Sequence, residues 1–253
     1  MGTTLQGSPV RLAGVARRSV KRMARPAGDF DASRYFRGEV DLGFYNVGTR
    51  AVRDLARSIH AANRRWSIDD ALEFAEVLVR DRYLEVKMVG VEVVRRFHRR
   101  FSPRLLTVWK RWLAQGYSAN WATTDAICGT LIGPLLNTNL ELADRMRGWT
   151  RHRSLWVRRA AAVSLVSLAR RGRSLDLVYD VASALHRDRE DLIQKAVGWL
   201  LREAGKTDSQ RLERYLRRHG PSIPRTSVRY AIERMTPATR RRLLLVTRAV
   251  PAA

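Results

Sequence analysis

Trp121 and Asp125 are the residues whose types and spacing most directly suggest chemistry. They lie in the stretch NWATTDAICG, residues 120–129. Four positions correspond to about one helical turn, so the indole and the carboxylate are predicted to share a face. The chain has a formal net charge of +24, and a fixed carboxylate in such surroundings can stabilise positive charge that develops during a reaction. A structural interpretation stays open, in which Trp121 is a buried anchor and Asp125 pairs with an arginine.

Two later segments carry further candidates, LWVRRAAA at 155–162 and LIQKAVGWLLRE at 192–203. Adjacent helical residues lie about 100° apart, so at most one of Arg158 and Arg159 faces a given partner. Alternatively, Trp156 packs in the core and both arginines are solvated. Trp199 falls outside the apolar stripe of its predicted helix, and such a tryptophan is a candidate for ligand contact. The stripe consists of Ile193, Val197, Leu200 and Leu201.

The composition indicates a polyanion as partner. Of the 253 residues, 48 are basic and 24 acidic, and 43 of the basic residues are arginine. Arginine binds phosphate through two parallel contacts, and nucleic acid is the commonest large polyanion in a cell.

Cys128 is the single cysteine, which excludes an internal disulfide and a cysteine metal cluster. The five histidines show no metal-ligand spacing, so we expect no zinc or iron site. No apolar run reaches the length of a membrane span.

The candidate residues lie in predicted helices. From residue 33 onwards, apolar residues recur with a helical period in segments separated by short polar or Gly/Pro breaks. SIDDALEFAEVLV begins with a serine N-cap and acids in its first turn. TDAICGTLIGPLL and LWVRRAAAVSLVSLARRG are each predicted as one helix. The helices pair into units of about 40 residues, typical of a HEAT-type stack. We predict one all-α domain of HEAT-like repeats over residues 31–253, preceded by a basic arm or helix at 1–30 that ends near Pro26.

Together, three motifs resemble the AlkD-type alkylpurine DNA glycosylases. They are W-x-x-x-D from Trp121 to Asp125, then WVRRAA, then QKAVGWLLRE, in that order and spacing. RYF at 34–36 and FYNVGTRAVRDLA at 44–56 also resemble the N-terminal helices of that family. The resemblance covers roughly residues 33–235. The family often has an aspartate directly after the first tryptophan, where this chain has Ala122, and the first 30 residues have no counterpart.

The resemblance implies an all-α superhelix of HEAT-like repeats with a basic, concave DNA-binding groove. It implies hydrolysis of the N-glycosidic bond of cationic purines, such as N3-alkyladenine and N7-alkylguanine, in duplex DNA for base excision repair. It implies that this reaction needs no metal and no cofactor and that the lesion can stay stacked, without base flipping. Trp121 and Trp199 would be the aromatic walls around the lesion. Asp125 would be the catalytic carboxylate, and Arg159 a contact to a backbone phosphate.

Chemical reasoning agrees with these roles. An alkylated cationic purine is already a good leaving group, and its departure leaves an oxocarbenium-like sugar that a carboxylate stabilises. Tryptophan faces attract the cation by about 0.5–2 kcal/mol per contact. We expect a DNA-associated cytoplasmic monomer without a membrane partner.

Three alternatives remain open. One keeps the chemistry but changes the substrate to bulky genotoxin adducts, as in self-resistance glycosylases. Another is a non-catalytic HEAT-repeat protein that binds DNA or RNA. The third is a protein–protein scaffold, which fits the net charge poorly.

Overall fold

The computed structural model describes residues 5–28, 36 and 42–248. Apart from an isolated backbone bridge between Gly43 and Tyr83, the regular structure in these residues is helical. The predicted all-α fold is therefore confirmed. The chain divides into two compact units, residues 1–131 and 132–253. The single domain predicted for 31–253 spans parts of both units and stays a prediction, as do the curvature and the groove of the stacked repeats.

The first unit is built around one central helix. Its helices are α1 (Pro9–Arg22), α2 (Thr49–Ala62), α3 (Ile68–Val79), α4 (Leu84–Arg95), α5 (Leu105–Ala114) and α6 (Trp121–Ile127), with a 3-10 turn at His98–Arg100. Helix α4 contacts α1, α2, α3 and α6. Fully buried side chains such as Phe74, Trp109 and Trp112 fill the core of this unit. The central position of α4 lets it fix the placement of α6, which carries Trp121 and Asp125.

The basic N-terminal segment forms a packed helix. Helix α1 buries Leu12, Ala13, Ala16 and Val20, and it contacts α3 and α4. It ends at Arg22, four residues before Pro26. These residues therefore form a helix packed within the first unit and not a detached arm. The predicted boundary at residues 30–31 lies outside the described residues.

The predicted N-cap of α3 is confirmed. The Ser67 hydroxyl accepts a hydrogen bond from the Asp70 backbone N–H at 3.1 Å, and the Ser67 N–H donates to the Asp70 carboxylate at 2.7 Å. This reciprocal pair satisfies two N–H groups that would otherwise lack a helical partner. Local sequence therefore determines where α3 begins.

The second unit packs around α12. Its helices are α7 (Gly133–Thr138), α8 (Arg145–Trp149), α9 (Leu155–Val163), α10 (Val166–Ala169), α11 (Leu175–Ala184), α12 (Asp191–Gly205), α13 (Ser209–His219), α14 (Arg225–Ala231) and α15 (Pro237–Val246), with 3-10 turns at Leu140–Asp144 and Gly220–Ser222. Helix α12 contacts α9, α10, α11, α13 and α14. A Cβ at Gly198 would lie 2.4 Å from Tyr230 Cβ and 2.7 Å from the Ser227 carbonyl oxygen. Glycine at this position therefore permits the close packing of α14 on α12.

Two segments predicted as single helices are interrupted. In the first, α6 runs into a π-helical stretch, Cys128–Ile132, before α7. Pro134 has no N–H to donate to the carbonyl of Thr130, which removes one α-helical hydrogen bond there. In the second, the chain turns at Ser164 and Leu165, between α9 and α10. The prediction of one continuous helix is wrong in both places, although the helical character is right.

Neither a membrane span nor a metal cluster is found in the described part of the chain. No helix there is both long and apolar enough to cross a bilayer. Within the same residues, no three His, Cys, Asp or Glu side chains are grouped so that they could hold a metal ion.

His186 makes the stability of the second unit depend on pH. Burial, together with nearby His219, lowers the pKa of His186 to about 4, and its Nε2 shares a 2.8 Å hydrogen bond with the Tyr215 hydroxyl. A histidine in the unfolded chain has a pKa of about 6.5. The unfolded chain therefore binds more protons between these values, and stability is lost as the pH falls through this window.

We expect the free energy of unfolding to be lower at pH 5 than at pH 7.5 by about 2 kcal/mol on account of His186. Urea unfolding at the two pH values measures the difference. His186→Gln removes the titrating group, so the variant should lose most of this pH dependence whatever its absolute stability. An equal pH dependence in both proteins would show that His186 does not titrate in this window.

Candidate functional site

The start of α6 is held by Asn120, which is fully buried. Its Oδ1 accepts from the Thr123 backbone N–H, and its Nδ2 donates to the Ser118 carbonyl, both at 2.7 Å. Ala119, just before it, adopts a left-handed φ of 49°, a conformation that a residue other than glycine adopts only when its surroundings enforce it. The cap and this turn together fix the residue at which the helix begins.

Helix α6 places Trp121 and Asp125 on its partly exposed side. Both side chains are half-buried, whereas Thr123, Thr124 and Ile127 are buried on the other side. The shared face predicted from the four-residue spacing is what the structure shows. Trp121 is therefore not a fully buried anchor, and the carboxylate of Asp125 lies one turn along the same face.

Lys87 supports the turn that precedes α6. Its side chain is buried, and its Nζ donates to the carbonyl oxygens of Val79 at 2.8 Å and Tyr117 at 2.7 Å. Burial lowers the pKa of Lys87 to about 8, with a smaller opposing effect from Asp81. Lys87 thus ties α4 to the end of α3 and to the segment leading into α6. Lys87 is not among the residues predicted for the site, although a lysine inside the mainly apolar run EVKMVGVEVV is an available signal.

Phe36 lies against the indole of Trp121. The two rings are stacked, with centroids 5.0 Å apart and planes 10° apart, and Phe36 also packs on Phe44 at 5.3 Å. Phe36 is the described residue of the RYF motif; Arg34 and Tyr35 lie outside the described residues. One face of Trp121 is therefore covered by a phenyl ring, which restricts the orientation of the indole.

These rings border a cavity of about 530 Å³ in the first unit. Ala122, the residue after Trp121, also lines it. Its other apolar lining residues include Val47, Val52, Leu84 and Met88. The volume is in the range of small-molecule sites, and the lining is mainly hydrophobic and aromatic, as is usual for such sites. An aspartate in place of Ala122 would bring a carboxylate to this lining.

Two acids at the cavity are held by structural partners. The Glu85 carboxylate accepts the backbone N–H groups of Tyr45, at 3.0 and 3.1 Å, and of Val47, at 3.2 Å. Glu92 pairs with Arg53 at 3.2 Å and with Arg95 at 2.8 Å. Because their oxygens stabilise the fold, Glu85 and Glu92 are poor candidates for the catalytic carboxylate.

In the second unit, Trp199 lies on the partly exposed side of α12. Its side chain is half-buried. The predicted core stripe, Ile193, Val197, Leu200 and Leu201, is fully buried or 1% exposed. The placement of Trp199 outside this stripe is thus observed. The close packing of α14 at Gly198 fixes the backbone next to it.

Arg158 and Arg159 have different surroundings, and neither is solvated. Arg158 pairs with Asp188 at 2.6 Å and donates to the carbonyl of His152 at 3.0 Å. Arg159 is 6% exposed, and its Nη1 donates to the carbonyl of Leu192 in α12. The alternative that both arginines are solvated is wrong. The role of Arg159 as a phosphate contact stays a prediction, and its burial shows that most of the guanidinium lies between α9 and α12.

Two comparisons with known proteins agree with this helical architecture. A model of the DNA alkylation repair enzyme family matches residues 16–235. A solved structure described as a predicted DNA alkylation repair enzyme from Enterococcus faecalis is similar in fold, with a TM-score of 0.74 and 19% sequence identity. The match covers 85% of this chain and 98% of that one. Among proteins with curated descriptions, none matches this sequence. Because the family match extends over most of the chain, the protein belongs to the DNA alkylation repair enzyme family.

Proposed function

We propose that this protein is an AlkD-type, monofunctional DNA glycosylase for cationic alkylated purines. Its substrates in this proposal are N3-alkyladenine and N7-alkylguanine in duplex DNA, and its reaction is hydrolysis of the N-glycosidic bond in base excision repair. Asp125 acts as the catalytic carboxylate, Trp121 and Trp199 as aromatic walls, and Arg159 as a phosphate contact. The protein works as a monomer on DNA in the cytoplasm, through HEAT-like repeats.

The observation that carries the proposal is the shared, partly exposed face of Trp121 and Asp125 on a chain with a net charge of +24. A surface that only binds phosphate gains nothing from a carboxylate, because the like charges repel. A carboxylate does help where positive charge develops, as at C1′ of the sugar when a purine departs. The neighbouring indole attracts the same cationic group through its face.

The substrate supplies much of the driving force for its own cleavage. A purine alkylated at N3 or N7 carries a positive charge and leaves without prior protonation, so the site needs no strong general acid. As the resemblance to the AlkD-type glycosylases implies, the lesion stays stacked in this proposal while the carboxylate acts from the side of the backbone. No lysine is assigned to the proposed catalytic set, so we expect no Schiff-base lyase step.

Release of free base from methylated duplex DNA tests the proposal. We expect the wild-type protein to release 3-methyladenine and 7-methylguanine at the same rate with and without EDTA. No release, combined with tight and salt-sensitive DNA binding, would instead favour the non-catalytic DNA- or RNA-binding alternative. Weak binding that barely changes with salt would favour the scaffold.

A variant of the proposal extends the substrates to bulky genotoxin adducts, as in a self-resistance enzyme. The 530 Å³ cavity beside Trp121 supports it, because the cavity has room for an apolar substituent on the lesion. Ala122, the residue next to Trp121 in the sequence, contributes an apolar side chain to the cavity lining. A methyl group would leave this space unused, whereas a benzyl group would gain free energy from apolar burial.

Ala122→Asp is expected to discriminate against large adducts. The new carboxylate would be left unpaired against an apolar substituent, so excision of N3-benzyladenine should fall about tenfold relative to 3-methyladenine. The kcat/KM values for the two lesions in identical duplexes measure this ratio. Ala61→Asp, on the exposed side of α2 and outside the cavity lining, is the matched control for charge. An unchanged ratio in Ala122→Asp would exclude the cavity as a subsite.

A further inference from the structure

Lys195 is a basic residue on the same side of α12 as Trp199. Leu192, Lys195 and Trp199 are spaced by three and four residues, so at 100° per residue they fall within about 60° of one another. All three are half-buried. The part of the helix surface that turns towards the core is closed, because Ile193, Val197, Leu200 and Leu201 are buried in the second unit. Lys195 therefore presents its ammonium beside the tryptophan rather than in the core.

The ammonium of Lys195 has a partner that it can exchange. Its Nζ lies 2.6 Å from the Asp191 carboxylate, and the two side chains are 41% and 61% exposed. An exposed pair between residues four apart on a helix stabilises a protein only slightly. Such a lysine can turn to a stronger anionic ligand at little cost in folding stability.

Arg159 adds a second positive charge at this place. Its guanidinium holds the carbonyl of Leu192, one turn before Lys195. The Asp191 hydrogen bond raises the pKa of Lys195 above its ordinary value, and the charge of Arg159 acts in the opposite direction. Lys195 is therefore charged at physiological pH, and its carboxylate partner Asp191 is mostly exposed.

The other basic side chains along this helix are held more firmly. Arg202 pairs with Glu233 and is 19% exposed. Lys206 donates to both oxygens of Glu203, at 2.8 and 2.9 Å, and that carboxylate is 3% exposed. Freeing Lys206 would break two hydrogen bonds to a buried carboxylate, and Arg202 is itself largely buried between Glu203 and Glu233. Lys195 differs because water can solvate Asp191 when the pair opens.

We propose that Lys195 binds a DNA backbone phosphate next to Trp199, and that Asp191 holds the ammonium when DNA is not bound. The inference rests on the proposed function, since it takes DNA as the ligand. Phosphate is a suitable partner for the ammonium, because its oxygens are negatively charged and accept several N–H bonds. Arg159 keeps its proposed role as a phosphate contact, and its bond to the Leu192 carbonyl also holds the first turn of α12 against α9.

The salt dependence of DNA binding tests the assignment. Each phosphate contact adds about 0.9 to the slope of log K against log salt concentration. Lys195→Gln is expected to reduce the magnitude of this slope by about one unit, as measured by fluorescence anisotropy with an unmodified duplex over a range of salt. Lys206→Gln makes the same change of charge on a residue held by Glu203, and its slope should equal that of the wild type.

Asp191→Asn probes the same contact in the opposite direction. It frees the ammonium, so DNA affinity at low salt should rise a few-fold. In the double variant Asp191→Asn/Lys195→Gln there is no ammonium to free. Its DNA affinity should therefore exceed that of Lys195→Gln only by the effect of removing the negative charge of Asp191. Thermal unfolding of each variant confirms that the fold persists.

A wild-type slope in Lys195→Gln would overturn the inference. So would an equal change of slope in Lys206→Gln, because the effect would then follow net charge rather than position. Base release by the wild type is measured separately on methylated DNA. Its absence would refute the glycosylase, whereas an unchanged slope would refute the phosphate contact alone.

Discussion

Asp125→Asn is expected to lower the rate of base release by about 10²–10³-fold, a loss typical of removing one electrostatic stabiliser of a transition state. Asparagine has nearly the same shape as aspartate and keeps an acceptor oxygen, but it carries no charge to stabilise an oxocarbenium-like sugar. Duplex binding should be unchanged or tighter, because one negative charge is removed from a strongly basic protein. Opposite effects on catalysis and binding distinguish a catalytic carboxylate from a phosphate-binding surface.

Single-turnover release of 3-methyladenine and 7-methylguanine measures the catalytic effect, and anisotropy with the same duplex measures binding. Asp54→Asn is the matched control, since Asp54 is, like Asp125, a half-buried aspartate of a helix, and it pairs with Arg57 at 3.0 Å. Its rate should equal that of the wild type. If Asp125→Asn releases bases at the wild-type rate, Asp125 serves the fold through an ion pair, and the carboxylate mechanism is excluded.

The helices themselves were predictable because their signals are local. The 3.6-residue period and the Ser67 cap act within one or two turns, so the sequence indicates α3 as well as the structure does. The turn at Ser164 and Leu165 was not predictable in this way. Both flanking segments favour a helix, and the interruption coincides with the packing of α10 on α7 and α12. Pro134 is a local signal for the interruption after α6. The prediction of a single helix over TDAICGTLIGPLL did not take it into account.

In the candidate site, too, some features follow from local sequence and others depend on contacts between residues far apart in the chain. Spacing along single helices predicts that Trp121 and Asp125 share a face and that Trp199 lies outside the apolar stripe. The structure shows both arrangements, and all three side chains are half-buried. Lys87 and Phe36 contribute through contacts with residues far away in the sequence. Lys87 reaches a carbonyl 30 positions later, and periodicity along one helix contains no information about such a partner. The burial of Arg159 has the same cause, because its hydrogen-bond acceptor lies on another helix.

Trp199→Ala is expected to reduce base release by about 3- to 30-fold while the fold survives. The reason is the loss of one aromatic contact to a cationic lesion, worth about 0.5–2 kcal/mol. Trp199 is half-buried and lies outside the core stripe of α12, so its truncation leaves a surface indentation rather than an internal cavity. Single-turnover release on methylated duplex, together with thermal unfolding, measures both parts of the prediction.

Trp149→Ala provides the contrast, since Trp149 in α8 is 4% exposed. Removing a buried tryptophan costs about 3–5 kcal/mol of stability, so this variant should lose far more in melting temperature than Trp199→Ala. Trp199→Phe should retain most of the activity, because a phenyl face still attracts the cation, though less strongly than an indole. If Trp199→Ala unfolds like Trp149→Ala, the indole is a core anchor. If it is stable and fully active, Trp199 is not a wall of the lesion site, and Trp121 would have to supply the aromatic contact without it.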